Sequence, residues 1–204
     1  MQTIFRPDGP VFRALSKLAE LMALNVLFLL CCLPVVTAGA SITALYGALF
    51  LPEDGGAIRR FFREFRRNFR QGTVLGLILG VLGLWLLADL WLLQQMEGYA
   101  LVKYILYLAA VLWLGVSTYA FALAARFADP TKRVLKNALL LAVSMLPRTV
   151  LLVIIDILPI LMILLVPDVF LRFLILWLLV AFAGCAWLKT WVLTDVFRQL
   201  KLIE

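Results

Sequence analysis

Between Gly72 and Leu93 the chain reads GTVLGLILGVLGLWLLADLWLL, with Asp89 as its one charge. As a helix this run rises about 33 Å, close to the roughly 30 Å of a bilayer's hydrocarbon core. Lipid offers backbone N–H and C=O groups no hydrogen bonds, so a run of this kind satisfies them internally, as helix. Comparable runs recur along the chain. The expected spans are residues 18–38, 72–93, 104–125, 147–166 and 170–188. The expected fold is all-α: a polytopic transmembrane helical bundle of about five spans, forming a single membrane domain over residues 1–204. Composition agrees, with 65% hydrophobic residues, 15% charged residues and a mean hydropathy of +1.04, against roughly half apolar in soluble domains.

The net charge of +7 is clumped between the apolar runs. The positive-inside rule accounts for it, so nucleic acid is not an expected partner. The rule puts the C-terminus in the cytoplasm, with Lys189, Arg198 and Lys201 marking the inner end of the last span. The chain has no histidine, which removes His-based triads, His zinc sites and axial-His haem. Cys31, Cys32 and Cys185 all lie in apolar runs and read as small hydrophobes. No catalytic, metal-binding or cofactor-binding residues are expected.

Two amphipathic surface helices are expected, over residues 57–70 and 131–146. In the first, Ile58, Phe61, Phe62, Phe65 and Phe69 recur at helical spacing. Opposite them stand Arg59, Arg60, Arg63, Arg66, Arg67 and Arg70, with Glu64 the lone acid. Such a helix lies among headgroups on the cytoplasmic leaflet, where its arginines meet anionic lipid or a partner. Gly72, Gly76 and Gly80 follow at four-residue spacing, with Gly83 near the same face, a pattern that lets helices approach closely. The second surface helix starts at Asp129-Pro130-Thr131. The span after it has Pro147 in its first turn, Arg148 reaching towards headgroups, Asp156 as a lone buried charge half-way across, and Pro159 three residues on. VLKNALL here parallels RRNFRQG, which suggests a repeat of surface helix, span, loop, span.

The run Asn25–Phe50, NVLFLLCCLPVVTAGASITALYGALF, is apolar but interrupted. Ala38 and Ala40 form a signal-peptidase-like A-x-A pair, although Glu20 precedes the core and the chain stays apolar beyond it. Crossing the membrane once is the preferred route. It gives five spans but leaves Arg6, Arg13 and Lys17 outside, against the charge bias. Dipping in and returning keeps them inside, with LPVVTAG as a turn at membrane depth. Pro34, Thr37, Gly39 and Ser41, with Thr43, form a narrow, mildly polar patch that suits either a tight helix junction or an intramembrane binding surface. PDGP, residues 7–10, reads as a turn.

LNVLFLLCCLPVVTAGASITALYGAL, followed by FFREFRRNFRQGTVLG, resembles the YesL-like family of small bacterial membrane proteins; LKNALLLA, Leu135 to Ala142, resembles its second recurrent stretch. The resemblance implies an integral protein of the bacterial plasma membrane with roughly five spans. It also implies a genetic neighbourhood of carbohydrate uptake and glycan degradation, and no catalytic residues.

Two functions follow as expectations. The first is a non-enzymatic accessory or regulatory protein associated with a carbohydrate ABC transporter, touching permease or ATPase subunits. The chain has no G-x-x-x-x-G-K-[ST] loop of its own. The second is a small self-contained transporter or channel with a mid-membrane site around Asp156. An enzyme is not expected: Asp89 and Asp156 are isolated, and Ser41 and Ser144 have no histidine to activate them.

Overall fold

A computed structural model describes residues 10–51, 56–96 and 98–199. Its helices are α1 (Pro10–Cys32), α2 (Ala38–Phe50), α3 (Ala57–Gln94), α4 (Ala100–Arg126), α5 (Thr131–Ser144), α6 (Leu146–Leu165), α7 (Pro167–Arg172) and α8 (Leu174–Gln199). A 3₁₀ turn, Val35–Thr37, precedes α2, and a π-helical segment, Trp177–Ala181, lies within α8. The fold is all-α. Five helices are long and apolar enough to cross a membrane: Val11–Cys32 and α3, α4, α6 and α8. Their outward faces carry residues such as Leu84, Leu108 and Ile175, each mostly exposed. That surface suits hydrocarbon and not water, and the chain is a multi-pass membrane protein. Arg6, Lys201 and residues 7–9 of the expected PDGP turn lie outside the described residues; Pro10 opens α1.

The expected surface helix 57–70 and span 72–93 are one continuous helix, α3, 38 residues long. Nothing between them stops a helix, since a lone glycine costs only about 1 kcal/mol. The second such pair is broken at Met145, which has φ −113° and ψ 45°. Pro147 supplies the cause, because its ring lacks an N–H and collides with the carbonyl four residues back. The Thr149 hydroxyl then donates to the carbonyl of Ala142 (2.9 Å), which the break leaves available, and to that of Met145 (3.1 Å), which also accepts from the backbone N–H groups of Arg148 and Thr149.

The interrupted run folds as two helices, α1 and α2, joined through the 3₁₀ turn. α1 ends at Cys32, short of the expected residue 38. Thr37 stabilises the turn, donating from Oγ1 to the carbonyls of Cys31 (2.6 Å) and Pro34 (2.8 Å). Ser41 Oγ donates across the hairpin to the Phe28 carbonyl at 3.0 Å. The outer part of α1 then joins the arginine-bearing part of α3 through an ion pair between Glu20 and Arg60. The end of α2 returns to that same end, where Leu49, Phe50, Lys17 and Asp195 line one cleft. Val35 and Ala38 lie beside Gly76 to Leu84, half-way along the apolar part of α3. α1 and α2 therefore form a helical hairpin that brings Glu20 beside Arg60 and buries α2, while Val11–Cys32 is long and apolar enough to cross a membrane.

α2 is central to the bundle: Gly39 to Leu49 are all buried except the partly buried Ile42. It runs antiparallel to α3, with Gly39 against Gly72 and Gly76 at one end and Gly47 against Glu64 at the other. The buried edge of α3 is Phe61, Glu64, Asn68, Gly72, Leu75, Leu79 and Gly83, one stripe at helical spacing. This corrects the expected division into a phenylalanine face and an arginine face. Phe62 and Phe69 are exposed, whereas Arg60 and Glu64 are only 3% and 1% exposed.

Candidate functional site

The glycine row of α3 is closed at Gly72 and Gly76 and open at Gly80. A Cβ on Gly72 would stand 2.7 Å from the Ala40 Cα, and one on Gly76 would stand 2.8 Å from the Gly39 Cα. One turn further, a Cβ on Gly80 would meet nothing within 4 Å. Beyond that, Gly83 is closed again by the Trp113 ring. The indole is fixed by its Nε1, which donates to the Leu79 carbonyl at 3.0 Å.

The space at Gly80 belongs to a cavity of about 430 Å³ between α2, α3 and α4. Its walls are mainly apolar, among them Ile42, Leu79 and Phe121. α6 contributes Asp156 and α8 contributes Lys189. Lys189 Nζ donates to Asp156 Oδ1 at 2.5 Å, and Thr118 Oγ1 donates to Oδ2 at 2.7 Å. Both side chains of the pair are largely withdrawn, 11% exposed for Lys189 and 22% for Asp156. The ammonium also stands 5.7 Å from the centre of the buried Tyr46 ring, within cation–π range.

This geometry answers the expectations residue by residue. Gly39, Gly76, Gly80 and Asp156, taken from three separate segments, meet on one cavity. Gly72 does not line it and serves the α2–α3 contact. Thr37 and Ser41 satisfy backbone at the hairpin turn, and Pro34 is exposed there. Pro159 lies one turn beyond Asp156 on α6, outside the lining. Of the arginines, Arg59, Arg63, Arg66 and Arg70 are exposed. Arg60 is bound to Glu20. Arg67 joins Glu64 and the Ala125 carbonyl, both at 2.7 Å. Arg148, expected to reach for headgroups, bonds Asp195 at 2.7 Å and Gln199 at 2.5 Å.

Asp156 is not a lone charge. Its partner Lys189, expected as an end-of-span marker, is buried among the helices. The signal was present, since a lysine inside the run AFAGCAWLKTWVLT invites the same question as an aspartate inside a span. Thr118 and Tyr46 gave no such signal. Nor did Asn25, whose fully buried carboxamide docks α1 on α8. Its Nδ2 donates to the carbonyls of Trp177 (3.2 Å) and Leu178 (2.7 Å), and its Oδ1 accepts from the Ala183 N–H at 2.7 Å. Trp177 and Leu178 open the π-helical segment, where the regular ladder is displaced, and Ala183 follows it.

Residues 21–90 match the sequence model of a family described as "Protein of unknown function, DUF624". No curated protein and no solved structure matches the chain. The matched residues hold the hairpin turn, all of α2 and the whole glycine row. Over residues 21–90 the chain is similar to the DUF624 family, with which the YesL-like resemblance is consistent.

Proposed function

We propose that this protein is a small non-enzymatic transporter or channel whose working site is the cavity bordered by Asp156 and Lys189. The observation that carries the reading is an ion pair withdrawn among membrane helices that nevertheless borders open space. Ionisable groups at such depth are costly and commonly mark ion or substrate paths. A pair serving packing alone is readily replaced by apolar side chains of similar volume. The test is reconstitution of purified protein into proteoliposomes, with electrical and pH-coupled flux read across a panel of sugars and small organic ions. Flux in the wild type that Asp156→Asn lowers at least tenfold is the expected result. Wild-type vesicles indistinguishable from empty ones would sink the self-contained reading.

One observation favours the second reading, an accessory protein of a carbohydrate ABC transporter. Arg59, Arg63, Arg66 and Arg70 are all exposed, with Arg63 also 3.4 Å from Glu64, and they suit a partner's acidic surface. Co-purification in mild detergent with a stoichiometric permease or ATPase subunit would establish it. Both readings put the chain in a bacterial plasma membrane, with its arginine-bearing end and C-terminus in the cytoplasm. The gathering of Arg67, Arg126 and Arg198 with the basic start of α3 at one end of the bundle supports that orientation.

A further inference from the structure

A second and larger recess, about 860 Å³, lies at the arginine-bearing end, where α3 meets the α4–α5 connection. Arg67, Arg70 and Arg126 line it, and Arg70 is exposed. Arg67 is held in place by the Ala125 carbonyl and Glu64. The one carboxylate in the lining, Asp129, is occupied by Arg133 at 2.9 Å. α5 begins in the same wall at Thr131, adding the partial positive charge of a helix N-terminus. The recess also has an apolar side. Val74 stands one turn beyond Arg70 on α3, and Phe127 follows Arg126. A step of four residues is about 6 Å along the helix, so the lining passes from guanidinium to hydrocarbon within the distance that separates a phospholipid's phosphate from its acyl chains.

We propose that this recess is a specific site for an anionic phospholipid, with its phosphate on Arg70 and Arg126 and its upper acyl chain along Val74. Guanidinium groups bind phosphate oxygens in pairs and with little desolvation. A soluble phosphate would use the arginines but not the apolar wall. The site narrows the broad arginine surface expected from sequence to particular side chains, and it includes Arg126, which lies outside the surface helix. It is independent of the transport reading.

The experiment is native mass spectrometry of the delipidated full chain, titrated with phosphatidylglycerol or phosphatidylcholine. Each arginine near an anionic headgroup is worth about fivefold in affinity, and two together about twenty-five-fold. Retention of phosphatidylglycerol over phosphatidylcholine is expected. Arg70→Gln should weaken it about fivefold and the Arg70→Gln/Arg126→Gln double variant about twenty-five-fold. Arg59→Gln/Arg66→Gln, which removes the same amount of charge from α3 outside the recess, should leave retention nearly unchanged. A thermal melt checks that each variant is folded; if the double variant is not, Arg70→Gln alone decides. Equal losses from the two double variants would overturn the site in favour of a diffuse basic field. Absence of lipid preference would overturn it outright. Displacement of phosphatidylglycerol by millimolar glycerol phosphate would reassign the recess to a soluble phosphate.

Discussion

Gly72 and Gly80 sit two turns apart on the same helix, and their surroundings differ. At Gly72 and Gly76 the α2 backbone comes so close that no Cβ fits; at Gly80 the same helix borders a cavity. The difference arises across the seam. Thr43, Ala40 and Gly39 are short enough for α2 to lie on α3, whereas beyond α2 the 3₁₀ turn passes Gly80 without coming within 4 Å of where its Cβ would stand. One glycine motif therefore does two things: half of it packs helices together, and the other half preserves space beside the Asp156–Lys189 pair. Spacing of small residues reports only that something can come close; what comes close is decided elsewhere in the chain.

This comparison can be broken most severely at the cavity. Lys189→Met leaves Asp156 withdrawn with Thr118 as its remaining donor. The expected loss is about 3–5 kcal/mol, the usual penalty for orphaning a buried charge. Unfolding in detergent, followed by tryptophan fluorescence, measures it. Adding Asp156→Leu to that variant should recover most of the loss; no recovery would mean that Lys189 stabilises through Tyr46 instead.

Next in size is the closed half of the row. Gly72→Leu or Gly76→Leu forces α2 off α3 and should cost at least the roughly 1–3 kcal/mol typical of overpacking, because the obstacle is backbone and cannot rotate away. The same unfolding assay reads it. Wild-type stability in either variant would disprove the tight seam.

Asn25→Leu tests a polar contact outside the comparison. It removes three hydrogen bonds to backbone around the π-helical segment and should cost about 1–3 kcal/mol. Faster amide hydrogen exchange at residues 177–183 should accompany the loss, with α3 unaffected.

The smallest effect is expected at the open half. Gly80→Ala adds a methyl group to free space and should leave stability unchanged or raise it by about 0.5–1 kcal/mol, the helix gain of alanine over glycine. Gly80→Leu should be tolerated too while filling part of the cavity, and should therefore lower flux without lowering the melting temperature. A destabilised Gly80→Leu would close the distinction between the two halves.

Much of the fold was legible in local pattern. Asp156 was legible as a buried charge because a carboxylate inside a span is conspicuous. The buried stripe of α3 was harder to read. It passes from Phe61 through Glu64 and Asn68 to Gly72 and Leu75, so residue type changes along it while spacing does not. The phenylalanines drew attention to a different face, and the acid on the buried edge counted as solvent-facing. Glu64 can be buried because Arg67, three residues along, holds it at 2.7 Å.

By itself the sequence determined that the chain is helical, that its apolar helices belong in lipid, and that its basic residues gather between them. Those outcomes rest on local hydrophobicity and on the need of each backbone group for a partner within its own helix, and both can be read from a window of residues. Only the tertiary structure decided that α1 and α2 form a hairpin, that Asp156 meets Lys189, and that Gly80 faces a cavity while Gly72 faces a backbone. In each case the outcome depends on which side chain, or which absence of one, a distant segment presents. Lys189 lies 33 residues from Asp156, and Arg60 lies 40 residues from Glu20. Helical periodicity carries no information across such separations.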